Sequence, residues 1–142
     1  MRLAALVVII GSLSITSSVD AGDQPLQIST FKIDVTPPLG SALCNGNVTP
    51  ALEITTPLTA RGIVLIGAGD PIVLCAVDWV GIGNESYDAF REALAGAVGS
   101  TSDRVALHAL HQHDAPGSDF ATERLLSAHG LAREFSNPDF DA

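Results

Sequence analysis

Apolar and polar positions alternate from Gln27 to Val35, with Phe31, Ile33 and Val35 on one side and Lys32 and Asp34 on the other, as in a half-buried strand. Thr36-Pro37-Pro38 ends it, because proline brings no amide donor to a ladder. From Leu39 to Pro57 the periodicity fades and glycine and proline recur around Cys44-Asn45-Gly46-Asn47, which predicts a long loop. Loops that long inside compact domains often belong to a site. Arg61 to Ile66 and Ile72 to Trp79 are apolar, β-branched runs separated by Gly67-Ala68-Gly69-Asp70-Pro71, and together they predict a hairpin.

The period then changes. Tyr87, Phe90, Leu94 and Val98 recur at helical spacing; Asn84 or Ser86 can cap the start and Gly99 can end the helix. Val105 to Leu110 reads as another strand. Strand, helix, strand is a crossover, so the runs ending at Trp79 and Leu110 are expected to lie parallel in one sheet, joined with right-handed sense. Their carboxyl ends then share an edge, with Asp78 at one end and His111 and His113 just past the other. Ligand sites of α/β sheets favour that edge. Beyond Pro116, Gly117 and Ser118 predict a turn, and Thr122 to Gly130 a helix with Leu125 and Leu126 inward. Glu134 to Ala142 is polar and acidic and offers no closing element. The fold class expected is α/β, a mixed sheet with a βαβ crossover, as the incomplete N-terminal portion of a larger domain.

At the N-terminus, Arg2 precedes the apolar run Leu3 to Ile10, and Val19-Asp20-Ala21 supplies the small residues that a signal peptidase reads. The run is about half of the ~20 residues that a membrane span needs, so residues 1–21 read as a signal peptide and 22–142 as one domain. A secreted or periplasmic location follows, with no stable membrane span once the signal is removed. Taking away Arg2 and Asp20 leaves the net charge at −9, which argues against nucleic acid and anionic membrane surfaces as partners. Export permits a bridge between Cys44 and Cys75, the two cysteines. However, Cys75 lies within the apolar run from Ile72 to Val80, where a thiol usually packs as a small hydrophobe.

The candidate chemistry gathers in Val105 to Pro116, VALHALHQHDAP, which ends an apolar run with three histidines and an aspartate. His111 and His113 are two apart, so in an extended backbone both imidazoles point to one face, as adjacent ligands of a divalent metal must. Zn2+ takes neutral imidazole nitrogen and, in catalytic sites, commonly uses three protein ligands with one position left for water. His108 falls on the alternate face and is a weaker candidate. Asp114 can serve as ligand, base or hydrogen-bond acceptor for an imidazole. Asp78 reads as a supporting carboxylate, since aspartate at a strand end often accepts local backbone hydrogen bonds. His129 reads as an ordinary helix residue. The pattern His-x-His-x-Asp-His fails, because Asp114 directly follows His113, and no Gly-x-Ser-x-Gly, His-Glu-x-x-His or phosphate-binding loop is present.

Asp34-Val-Thr-Pro-Pro-Leu-Gly40, Ala60-Arg61-Gly-Ile-Val-Leu-Ile66, Val73-Leu-Cys-Ala-Val-Asp78 and His111-Gln-His-Asp-Ala-Pro116 occur in the order and approximate spacing of the N-terminal domain of neutral/alkaline non-lysosomal ceramidases, which the chain resembles from about Phe31 to Pro116. That resemblance implies a zinc-dependent hydrolase of N-acylsphingosines or a related lipid-like or small amide substrate. It makes His111 the first zinc ligand and puts His113 and Asp114 in the catalytic site. The remaining ligands, a His, a Glu and a Tyr, are expected from later chain, and residues 22–142 alone are expected to be inactive. Gln112 and Asp114 stand where the family has Thr and Ser, which places a carboxylate beside the metal. A metal-dependent hydrolase of another amide or ester, and a non-catalytic or truncated exported relative, are the alternatives.

Overall fold

A computed structural model describes residues 24–141. The expected signal peptide, residues 1–21, lies outside the described residues. The main sheet has four strands in the order β1 (Gln27–Asp34), β2 (Thr59–Gly67), β3 (Gly69–Val77) and β5 (Val105–Ala109). β1 with β2 and β2 with β3 are antiparallel, whereas β3 and β5 are parallel and joined through helix α1 (Asn84–Val98). The mixed sheet and the crossover are as the periodicity predicts. The hairpin turn is tighter than expected: Gly67 pairs with Gly69, leaving Ala68 alone at the tip, because β3 extends back through Asp70 and Pro71.

Register defines the two faces, since alternate residues of a strand point to opposite sides. One face carries the row Phe31, Gly62, Cys75, Leu107, flanked by Val64, Val73 and Val105 on one side and Val77 on the other. Helix α1 packs there through Tyr87, Phe90, Leu94 and Val98, its predicted apolar stripe. Val73, Cys75, Val77 and Val105 are almost fully buried, each larger side chain contributing roughly 1.5–3 kcal/mol on transfer from water. α1 covers only part of this face. Toward β1 it leaves an apolar groove of about 310 Å³ lined by Phe31, Ile33, Val35, Trp79 and Phe90, so Ile33 is 55% exposed rather than half-buried as alternation alone predicts.

The opposite face carries Thr30, Ile63, Leu74 and Ala106 in one row, with Ile28, Leu65 and Ile72 beside it. Ile28 and Leu74 on this apolar surface are exposed.

Cys44 and Cys75 are both free thiols. Burial pushes the Cys75 thiol up, as for a sulfur packed among hydrocarbons.

Two expectations about helix starts and one about which residue faces inward are corrected. The N-cap of α1 is Gly83, with no side-chain cap from Asn84 or Ser86. The Asp119 carboxylate lies against the Gly83 backbone, where a Cβ would collide with it. The second long helix, α2 (Phe120–Ala128), begins two residues before the expected Thr122, because Asp119 caps it by accepting from the amides of Ala121 and Thr122. Leu125 is consequently 61% exposed and not inward. Glu123 takes the inward position, accepting from Ser127 Oγ at 3.2 Å and the Arg133 amide at 2.9 Å. At the other junction, α1 ends at Gly99 in the left-handed region, as predicted.

The acidic tail also closes on the body. Arg133 pairs with Asp139, Asn137 Nδ2 donates to Ser41 Oγ at 2.9 Å, and the short helix α3 (Pro138–Asp141) sets the Phe140 ring 5.9 Å from Trp79. Composition hid this element because one aromatic ring anchors it while its remaining contacts are polar.

Candidate metal centre at the carboxyl edge of the sheet

β3 and β5 stop in register, Val77 opposite Ala109, so the chain leaves both strands side by side. Leu110 N donates to Val77 O and His111 N to Trp79 O, each at 3.0 Å. The two departing segments then pair again as a second, smaller parallel sheet, β4 (Gly81–Ile82) with β6 (Gly117–Ser118). Val80 N donates to Pro116 O at 3.0 Å, and Gly83 N to Ser118 O at 2.6 Å. Residues 111–116 therefore form a strap tied at both ends to residues 79–83.

The predicted long loop braces this strap from outside. Its single 3-10 turn, Cys44–Gly46, sends the Cys44 amide to Ala115 O at 2.8 Å, and the Asn45 side chain lies where a Cβ on residue 117 would stand. Gly117 is thus required by close approach. Beneath the strap, Trp79 packs edge-on against Phe90 with centroids 5.9 Å apart and donates its indole N–H to Val35 O.

The His111 and His113 rings meet edge to face, with centroids 4.9 Å apart and planes at 77°. The expected proximity holds, but its cause differs from the extended backbone that the spacing suggests. β5 ends at Ala109, and His111 has φ 61°, the left-handed region. That conformation costs roughly 1–2 kcal/mol for a residue with a side chain, and it is offset here by the amide bond to Trp79 O and by a ring contact. His111 Nδ1 lies 2.8 Å from Val80 O. A carbonyl oxygen only accepts, so the neutral ring carries its proton on Nδ1 and keeps the Nε2 lone pair for another partner. Carbonyl groups commonly orient metal-binding imidazoles in this way.

Other predicted residues are placed differently. Asp114 and Gln112 line a cleft of about 620 Å³ with Arg61 and Asp78, closed on its far side by the loop from Thr49 to Leu58. The Asp114 amide donates to Gln112 Oε1 at 2.9 Å, which fixes the turn between them. Asp78 accepts from Thr59 N at 2.8 Å, Thr59 Oγ1 at 2.9 Å and Arg61 at 3.3 Å. Partial burial pushes its carboxyl up, but the Thr59 amide and hydroxyl and the Arg61 guanidinium outweigh this and hold it below the ordinary value. These bonds tie Asp78 to β2 rather than to the histidines. His108 pairs in register with Ala76 on the exposed sheet face, away from α1. His129 stands exposed at the C-cap of α2.

The pair brings two imidazoles together, and the neutral His111 ring, with its Nδ1 proton on the Val80 carbonyl, leaves the Nε2 lone pair for a metal ion such as zinc. Among the described residues, no group of three or more His, Cys, Asp or Glu side chains is placed to hold a metal ion. Sequence reasoning offered Ser86 as a cap and Ser118 as a turn residue but missed that their hydroxyls meet at the root of the strap, a pairing across thirty-two residues that no local pattern signals.

This arrangement, a mixed α/β sheet with its polar strap at the carboxyl edge, is a ceramidase-like fold. The crystal structure of neutral ceramidase from Pseudomonas aeruginosa matches with a TM-score of 0.51 and 23% identity over 68% of this chain and 17% of that one. A ceramidase complexed with C2 matches with a TM-score of 0.52 and 22% identity over 80% of this chain and 21% of that one. The chain thus spans about a fifth of the length of the ceramidase chains it matches. No protein-family model matches it, and no curated protein does. Among the described residues no helix is long and apolar enough to cross a membrane.

Proposed function

We propose that residues 22–142 carry one corner of the active site of a ceramidase-like, zinc-dependent hydrolase that cleaves the amide of an N-acylsphingosine or a related lipid-like substrate. The observation that carries this reading is the His111–His113 pair, ring to ring at the carboxyl edge of a ceramidase-like sheet, with the His111 proton committed to Val80. When bound, the ion supplies Lewis acidity toward a carbonyl and lowers the pKa of water. His111 would hold it through Nε2, the nitrogen that faces away from the Val80 carbonyl and carries the lone pair of the neutral ring. His113, on the same turn, stands beside the reacting group and can hold or pass a proton. Asp114 faces the cleft, where its carboxylate can accept a hydrogen bond from water or from an amide nitrogen. The chain alone is inactive in this reading, because two imidazoles do not complete a catalytic set. Residues 1–21 direct export, to a secreted or periplasmic location.

Zinc titration followed by calorimetry tests the assignment. His111→Ala is expected to lower affinity at least tenfold, and His129→Ala to leave it unchanged. Equal zinc binding by His111→Ala and the parent protein would overturn the metal role.

A further inference from the structure

The geometry points to Ser86 as a positioning residue for the histidine strap, acting through the β4–β6 junction; its bearing on zinc rests on the metal reading above, whereas its bearing on the His111 ring does not. Ser86 is in the first turn of α1, and its residue is 0% exposed. Its hydroxyl leaves the helix and joins two segments that follow the strap. Ser118 Oγ donates to Ser86 Oγ at 3.0 Å, and the Phe120 amide donates to the same oxygen at 3.0 Å. Ser118 belongs to β6 and is 1% exposed, and its carbonyl accepts from Gly83 N. One buried oxygen therefore locks the start of α1, strand β6 just past the strap and the first residue of α2 to one another.

Serine is a weak helix former and gains little from burial, so this position is explained by its partners and not by packing or propensity. The line of contacts back to the metal-binding ring is short. Val80, Gly81 and Gly83 lie on the segment that leads into Ser86, and Pro116, Gly117 and Ser118 lie on the segment that leads into Phe120. The two are laced by the β4–β6 ladder. The upper end of that ladder is Val80, whose amide donates to Pro116 O and whose carbonyl receives His111 Nδ1. If the junction loosens at its buried end, the spacing between Val80 and the strap is no longer fixed, and the His111 tautomer goes with it.

The test is imidazole 15N NMR of the metal-free mature chain, followed by zinc titration. In the parent protein His111 is expected as a single Nδ1–H tautomer. In Ser86→Ala the ring should shift toward the mixture of a freely exposed histidine, and zinc affinity should fall about tenfold, with His108 and His129 signals unmoved. Ser86→Thr, which keeps the hydroxyl, should restore the parent tautomer. Ser118→Ala, which removes one of the two donors, should shift the ring in the same direction by less, and it serves if Ser86→Ala does not fold. A Ser86→Ala protein that melts earlier yet keeps the His111 tautomer would overturn the proposal, since the hydroxyl would then only stabilise. A parent protein that binds no zinc but whose locked tautomer is released by Ser86→Ala would support the positioning role while sinking the metal reading.

Discussion

A histidine with positive φ is tolerated only where its surroundings over-determine it, and His111 has its amide on Trp79, its ring on Val80 and its neighbour ring on His113. The place of this residue at the carboxyl edge of the sheet was legible from the strand–helix–strand order; its backbone was not, because left-handed conformations are decided by contacts from distant segments. Asp78 was legible in kind, as a carboxylate bonded to backbone at a strand end, but Thr59 lies nineteen residues upstream and gave no sign of being its partner. Asp78 also makes a pH prediction. Its folded pKa is depressed, so it stabilises fully above the ordinary carboxyl value of about 3.9, and this contribution fades as pH falls through the lower folded value. Asp78→Asn is expected to lose about 1–3 kcal/mol at pH 7 and to show a shallower stability loss on acidification below about pH 4. Urea midpoints from pH 7 down to strong acid check this; parallel acid profiles for the two proteins would refute it.

Periodicity found the four strands of the main sheet and α1 because those elements share one continuous apolar face; it missed β4, and β6, at the expected turn of Gly117 and Ser118, because two-residue strands show no period. It misplaced the start of α2, whose one fully buried residue, Glu123, is polar. Asp119, between the expected turn and the expected helix start at Thr122, is the residue that caps the helix. Leu125 was expected inward on hydrophobicity, yet Glu123 holds that side because the Arg133 amide and the Ser127 hydroxyl satisfy its carboxylate. The cap should be measurable. Asp119→Ala is expected to cost about 1 kcal/mol, with an unchanged denaturant slope, since two amides and the Thr122 hydroxyl lose their acceptor. Unaltered stability would show that α2 is held by its contacts with α1 instead, such as the Arg124–Glu85 pair.

At the scale of the whole molecule, the described residues clothe the sheet on one side and leave the other uncovered. Ile28, Ile63, Leu65, Ile72 and Leu74 form a contiguous apolar surface opposite α1, and contiguous surfaces of this kind favour association. The chain is expected to bind the apolar dye ANS and to self-associate as concentration rises. Leu74→Lys, in the middle of that surface, should weaken both while leaving the circular dichroism spectrum intact. Dye binding as strong in Leu74→Lys as in the parent would locate the exposed apolar area elsewhere, in the groove beneath α1. Alternation marked β1 alone as half-buried; that a patch of hydrocarbon runs across the face opposite α1, beside the polar row of Lys32, Arg61 and His108, became apparent only once register aligned four strands. Trp79, the one tryptophan of the chain, stands where these parts meet. Its carbonyl holds the His111 amide, and its ring touches Phe90 and Phe140. The protein thus contains its own optical reporter: indole fluorescence, excited beyond the absorption of Tyr87, comes from a single residue whose backbone holds the imidazole turn and whose ring meets the C-terminal helix.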